Sequence, residues 1–150
     1  MPTNININKK KIFIASDHAG FELKEKIKNF LIKNKNDILD LGTTNNNSVD
    51  YPDYAHMLSK KIKNTKNFGI LVCGSGIGMG MAANKHKNIR AALCYNPEST
   101  KLSRKHNNAN VMTIGSRLTK KNVALQCVNI FLKTNFDGGS VWGGVALDKN

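Results

Sequence analysis

Phe68-Gly69-Ile70-Leu71-Val72-Cys73-Gly74-Ser75-Gly76-Ile77-Gly78-Met79-Gly80-Met81-Ala82-Ala83-Asn84-Lys85 is the stretch from which the rest of the chain can be read. The apolar run to Cys73 reads as a buried strand, and the alternating glycines turn it into an Ala- and Met-rich helix. Glycines let backbone approach a ligand closely, and the orphan N–H groups where a helix begins favour an anion such as a phosphate or an enolate. Cys73 ends the strand at the mouth of this cradle, where such N–H groups would favour a thiolate able to act as a base. Taken alone, the segment also fits a plain Gly-rich turn with a small buried Cys, because its spacing is neither the Walker pattern nor a clean G-x-G-x-x-G.

The flanking sequence extends the pattern in both directions. Lys11–Ala15 reads as a first strand, followed by Ser16-Asp17-His18-Ala19-Gly20 and a helix with Leu23, Ile27, Phe30 and Leu31 on one face. Ile38–Leu41 reads as a second strand, and Asp50-Tyr51-Pro52 as the start of a helix. Ile89–Cys94 and Val111–Gly115 read as the fourth and fifth strands, with a helix from Asn96-Pro97 to about His106 between them. Thr119 is expected to cap a last helix carrying Val123, Cys127, Ile130 and Phe131. Strands alternating with helices predict an α/β fold: a single-domain, Rossmann-like three-layer sandwich with a parallel sheet of about five strands. Ligands of such sheets sit at the carboxyl ends of the strands, and Asp17, His18, Cys73, Ser75 and Arg117 all fall on loops leaving those ends.

The 150 residues suit one domain. It is expected over residues 11–136, between an Asn/Lys-rich tail at 1–10 and a C-terminal tail at 137–150. Three cysteines at no metal-ligand spacing predict neither a disulfide framework nor a metal site, and they point to a reducing, cytoplasmic setting. Cys94 and Cys127 read as structural. Residues 1–10 have no apolar core of a signal peptide, and no stretch approaches a membrane span, so no targeting and no membrane are expected. The net charge of +13 raises nucleic acid as an alternative partner. The lysines are nevertheless scattered and lack interleaved aromatics, so no nucleic acid is expected.

The segment Cys73–Gly78 with Ala82-Ala83-Asn84-Lys85 resembles the anion-hole loop of type B ribose-5-phosphate isomerases. So do Ser16–Gly20, Asp50-Tyr51-Pro52, Ser103-Arg104-Lys105-His106-Asn107-Asn108 and Gly115-Ser116-Arg117, in the same order. The resemblance implies an aldose-ketose isomerase of the pentose phosphate pathway that needs no cofactor. It implies Cys73 as the proton-transferring base, Ser75 assisting it, and Gly74, Ser75, Gly76, Ile77 and Gly78 as the anion hole. His106 would open the sugar ring, Asp17 would sit near the ring hydroxyls and His18 near the phosphate. Tyr51, Asn107 and Arg117 would bind substrate. Relatives that use a Glu base carry it where this chain has Met79. Singly, Asp17 also fits a helix cap, His18 a loop histidine, His106 a cation at a helix end, Arg117 a surface charge and Tyr51 a capping contact. His56 and His86 receive no role.

The resemblance further implies a homodimer, with a tetramer as the alternative, whose site takes His106 and Asn107 from the partner. His106 would otherwise lie at the far edge of the sheet from Cys73. At the C-terminus the chain departs from the pattern. The family's phosphate-holding arginines fall on Ser140 and Gly144, after Gly138-Gly139. This leaves open an allose 6-phosphate isomerase, a phosphosugar-binding protein with little turnover, and a nucleotide-binding module. The last lacks an acidic residue clearly placed for a ribose after the second strand.

Overall fold

Near-continuous runs of buried residues in the three central strands set the architecture. In the computed structural model, which describes residues 10–63 and 67–138, ten elements follow one another. They are β1 (Lys11–Ser16), α1 (Phe21–Lys33), β2 (Ile38–Asp40), α2 (Tyr51–Lys61) and β3 (Asn67–Cys73). Then come α3 (Ile77–Ala83), β4 (Ala91–Leu93), α4 (Pro97–Lys105), β5 (Val111–Gly115) and α5 (Lys121–Lys133). The five strands form one all-parallel sheet in the order β2-β1-β3-β5-β4.

Both faces of the sheet are covered, so its strands read as near-continuous apolar runs. Ile12, Ile14, Ile70, Val72, Met112 and Ile114 point to one face, against Leu23, Ile27 and Leu31 of α1 and Ala124, Cys127 and Phe131 of α5. Phe13, Ala15, Leu71, Cys73 and Val111 point to the other, against Ala55 and Leu58 of α2 and Met79 and Ala83 of α3. Phe131 is fully buried and meets Phe68 edge-on, with ring centroids 5.2 Å apart. Such a side chain contributes on the order of 2–3 kcal/mol through burial. α4 packs on α5 and β4.

Two boundaries differ from the sequence expectation. The fourth strand shortens to Ala91–Leu93, because Ile89 turns into the α2/α3 core and the strand lies at a sheet edge. There the Asn84 side chain takes the place of a neighbouring strand: its Oδ1 accepts from Ala91 N at 2.7 Å and its Nδ2 donates to Ala91 O at 3.0 Å. Thr119 does not cap α5. The helix begins after Lys120 with no side-chain cap, and Thr119 is buried in the turn that follows β5.

The strand order reverses between β1 and β3, since β2 lies on one side of β1 and every later strand on the other. A crevice opens at such a switch point, at the carboxyl ends of the strands. Asp17 and Cys73 leave β1 and β3 there, and Asp17 N donates to Val72 O at 3.2 Å.

Candidate active site

Three loops are tied together at the switch point by backbone. After β5, Ser116 N donates to Cys73 O at 2.8 Å and Arg117 N to Gly74 O at 3.0 Å. Ser116 Oγ donates to Ala19 O at 2.8 Å, joining the β1 loop to the same knot. In the sequence Ser116 stands out only as part of a motif, because its bracing contact spans 97 positions along the chain.

Inside the knot, Cys73 is 5 % exposed and its Sγ accepts from Gly76 N at 3.1 Å. Ser75 Oγ accepts from Ile77 N at 3.2 Å. Gly76 has φ +79°, and a Cβ on it would lie 2.7 Å from Leu93 Cδ1 and 2.9 Å from Ile114 C. Only glycine fits this turn without strain. The turn leaves the N–H groups of Gly74, Ser75 and Gly78 without an acceptor among the described residues. They are donors available to an oxyanion.

Asp17, Tyr51, Cys73, Gly74, Ser75, Gly78, Arg117 and Leu118 line one open cleft of about 280 Å³. Asp17 Oδ1 accepts from Gly20 N at 2.9 Å, so the helix-start contact is real. Its second carboxylate oxygen has no partner among the described residues, which leaves it for a ligand hydroxyl. A Cβ on Gly74 would lie 3.1 Å from Arg117 Nη1, so the guanidinium sits over the loop. A Cβ on Gly78 would lie 2.7 Å from Tyr51 Cζ, so the phenol ring covers the loop's other end. Leu118, exposed at the cleft, carries no signal in the sequence that would have marked it.

Other expected residues stand apart from this cleft's lining. His18 is half-buried beside it, and its Nδ1 lies 3.1 Å from Val49 N and 3.2 Å from Val49 O, a contact with the end of the 43–49 loop in either tautomer. Gly76 is buried under the loop, while Ile77 is exposed beside it. His106 and Asn107 lie at the end of α4, which runs back from the carboxyl end of β4, so they sit at the opposite end of the strands. Asn107 borders a second cavity of about 360 Å³ with Asn84, Arg90 and Ala91. Met79 is fully buried in the α2/α3 core and serves packing. Ser140 and Gly144 lie outside the described residues.

The electrostatics bear on the remaining alternatives. Asp40, at the carboxyl end of β2, accepts from Lys24 Nζ at 2.6 Å, Lys28 Nζ at 2.9 Å and Gly42 N at 2.9 Å, so it is not free to hold a ribose. Burial pushes the Cys94 thiol up to about 11 and raises Cys127 as well, which suits two packing cysteines. Among the described residues, no group of three or more His, Cys, Asp or Glu is arranged to hold a metal ion, and no helix is long and apolar enough to cross a membrane.

Residues 12–144 match the profile of the ribose/galactose isomerase family. The chain belongs to that family. Its fold is similar to the crystal structure of a ribose 5-phosphate isomerase from Thermotoga maritima, 47% identical with a TM-score of 0.89, covering 92% of this chain and 96% of that one. It is also similar to ribose-5-phosphate isomerase B from Mycoplasma genitalium, solved with bound ribulose 5-phosphate. That match is 38% identical, with a TM-score of 0.85 over 93% of this chain and 97% of that one. The ribose-5-phosphate isomerase B of Escherichia coli strain K12 is 39% identical over 131 residues, 87% of this chain and 88% of that protein. The three-layer fold read from the strand and helix pattern is therefore that of the family.

Proposed function

We propose that this chain interconverts ribose 5-phosphate and ribulose 5-phosphate, a step of the pentose phosphate pathway, by moving one proton between C2 and C1. The observation that carries the reading is the placement of Cys73 Sγ at the mouth of the Gly74–Gly78 loop, in one cleft with Asp17, Tyr51 and Arg117. Its similarity to an isomerase solved with ribulose 5-phosphate supports the substrate class. The open-chain aldose presents C2–H to the Cys73 thiolate. As the proton moves to sulfur, negative charge develops on the C1 oxygen, where the Gly74, Ser75 and Gly78 N–H groups stabilise the cis-enediolate. Cys73 then returns the proton to C1, while a proton moves from the C2 hydroxyl to the C1 oxygen, and the ketose forms. Ser75 assists Cys73, Asp17 holds a ring hydroxyl, and Arg117, His18 and Tyr51 hold the rest of the phosphorylated sugar. The reaction uses neither cofactor nor metal.

The same reading makes the site a two-subunit one. β5 spans roughly 16 Å at 3.3 Å per residue, so His106 and Asn107 at its start serve the cleft of a partner. Ile77, Met81, Leu93 and Tyr95 are exposed, and Leu93 lies beside Gly76 of the loop, an apolar margin that suits a second copy. The homodimer would be cytoplasmic, in line with three free cysteines.

Adding ribose 5-phosphate to the purified protein, with and without a chelator, and following ketose formation tests the activity. Turnover should be chelator-insensitive and abolished in Cys73→Ala, with the fold intact by circular dichroism. Near-native activity in that variant would overturn the assignment. Because Ser140 and Gly144 stand where arginines are expected, a phosphosugar-binding protein with little turnover is the second reading. Tight binding of ribose 5-phosphate without product would favour it, and a higher kcat/KM on allose 6-phosphate would change the substrate.

A further inference from the structure

The turn that carries His106 and Asn107 is held from beneath by a buried cation. Arg104 is 4 % exposed, and its guanidinium lies 4.9 Å from the Phe68 ring centroid and 5.6 Å from that of Phe131. Its Nε donates to Thr134 O at 3.0 Å, and its Nη1 donates to Asn108 Oδ1 at 3.3 Å and to Ala109 O. No carboxylate pairs with it among the described residues. Burial lowers its pKa, as expected for a cation taken out of water without a counter-ion.

A Met or Leu would pack between two phenyl rings without the cost of desolvating a charge. What an apolar side chain lacks is the planar fork, which engages the end of α5 and two successive residues of the turn at once. Those two residues follow directly after Asn107. Asn108 takes a left-handed φ of 48°, and Arg90 Nε clamps Asn107 O from the other side at 2.7 Å. By contrast, the side chains of His106 and Asn107 are exposed and have no partner among the described residues. The turn is tied from both sides, yet the two side chains it presents bond to none of the described residues.

We propose that Arg104 is a positioning residue for the reaction, which preorganises the His106–Asn107 corner for use in the partner subunit's cleft. This rests on the two-subunit reading of the site. Arg104 touches no substrate; it fixes the backbone from which the ring-opening group is presented, where small misplacements are costly to the rate.

The test is inter-subunit complementation, with pairs of variant chains co-expressed under two tags and purified through both. Arg104→Lys keeps a cation between the rings but loses the fork. Its homodimer should show kcat/KM reduced about ten-fold or more. A mixed dimer of Arg104→Lys and Cys73→Ala contains one site with an intact Cys73 facing an intact corner, so it should recover to about half the unmodified activity. The Arg104→Lys and His106→Ala mixed dimer has no such site and should stay at or below the Arg104→Lys homodimer. A merely structural defect would depress all mixed dimers alike. Asn108→Gly suits the left-handed φ and removes one acceptor of the fork. It should give a smaller loss with the same recovery pattern, and it carries the test if Arg104→Lys does not fold. Activity within two-fold of the unmodified protein in both homodimers would overturn the proposal. So would absence of recovery with Cys73→Ala while Cys73→Ala and His106→Ala complement each other. If that last pair fails to complement, the two-subunit reading falls, and the proposal with it.

Discussion

Tyr51 of α2 and Gly78 of α3 are in ring-on-backbone contact: a Cβ added to Gly78 would lie 2.7 Å from Tyr51 Cζ and 3.0 Å from its hydroxyl oxygen. The contact joins the first turns of two helices and forms one wall of the cleft. It also sets stability and activity against each other. Gly78→Ala improves a helix position by about 0.5–1 kcal/mol. The methyl must then push the phenol aside, which is feasible because Tyr51 is 41 % exposed. The expected outcome is a melting temperature unchanged or slightly raised, with kcat/KM lowered about ten-fold. Thermal melts and steady-state kinetics on one preparation check both.

Gly76→Ala should behave differently. Its φ of +79° and the backbone of Ile114 and Gly115 at 2.9 and 3.0 Å from a Cβ leave nothing flexible to give way. Left-handed strain and overpacking together predict a loss of about 2–4 kcal/mol in unfolding free energy. Urea titration measures it. The loop should lose its activity at the same time, since Gly76 N is the donor to Cys73 Sγ.

Lys24 is fully buried on α1 and is held by Asp40 at 2.6 Å and Glu25 at 2.9 Å. Burial tends to raise the Asp40 carboxyl, but hydrogen bonds from Lys24, Gly42 N and Lys28 outweigh it and leave it below the usual range. A carboxyl depressed in the folded state stabilises fully above the unfolded value near 4, and that contribution is lost as pH falls through the lower folded value. Unfolding free energy should therefore decline below about pH 4, and Asp40→Asn should flatten that decline. At neutral pH the same variant should cost less than the about 3–5 kcal/mol of a broken buried pair, because Glu25 still faces Lys24. Denaturant titrations from acid to neutral pH report both effects.

His56 of α2 and His86, just beyond α3, face each other with Nδ1 and Nε2 2.8 Å apart. Burial, His56 and Lys60 lower the pKa of His86. The neutral form is thus favoured on folding, so its contribution is present above the unfolded value near 6.5 and is lost as pH falls through the folded value. Stability should drop between about pH 7 and pH 5. His86→Gln should remove that dependence while leaving the decline assigned to Asp40. An unchanged pH profile in His86→Gln would show that the pair does not titrate in this window.

What the sequence by itself determined is local. Apolar runs and glycine punctuation mark the five strands and the cradle after β3, because burial on both faces leaves a signal within a few neighbouring residues. The contacts that decide the cleft are not local. Ser116 bracing Ala19, Tyr51 lying on Gly78 and Arg117 lying over Gly74 join segments that only the strand order brings together. Thr119 illustrates the limit: a threonine before an amphipathic run reads as a cap, yet packing after β5 buries it one residue too early. In the sequence Lys24 is one of many scattered lysines and Arg104 only part of a motif; tertiary structure alone supplies the carboxylates, carbonyls and rings that let them be buried. Pairing partners distant in sequence leave no periodic trace, so only the folded structure shows how those charges are compensated.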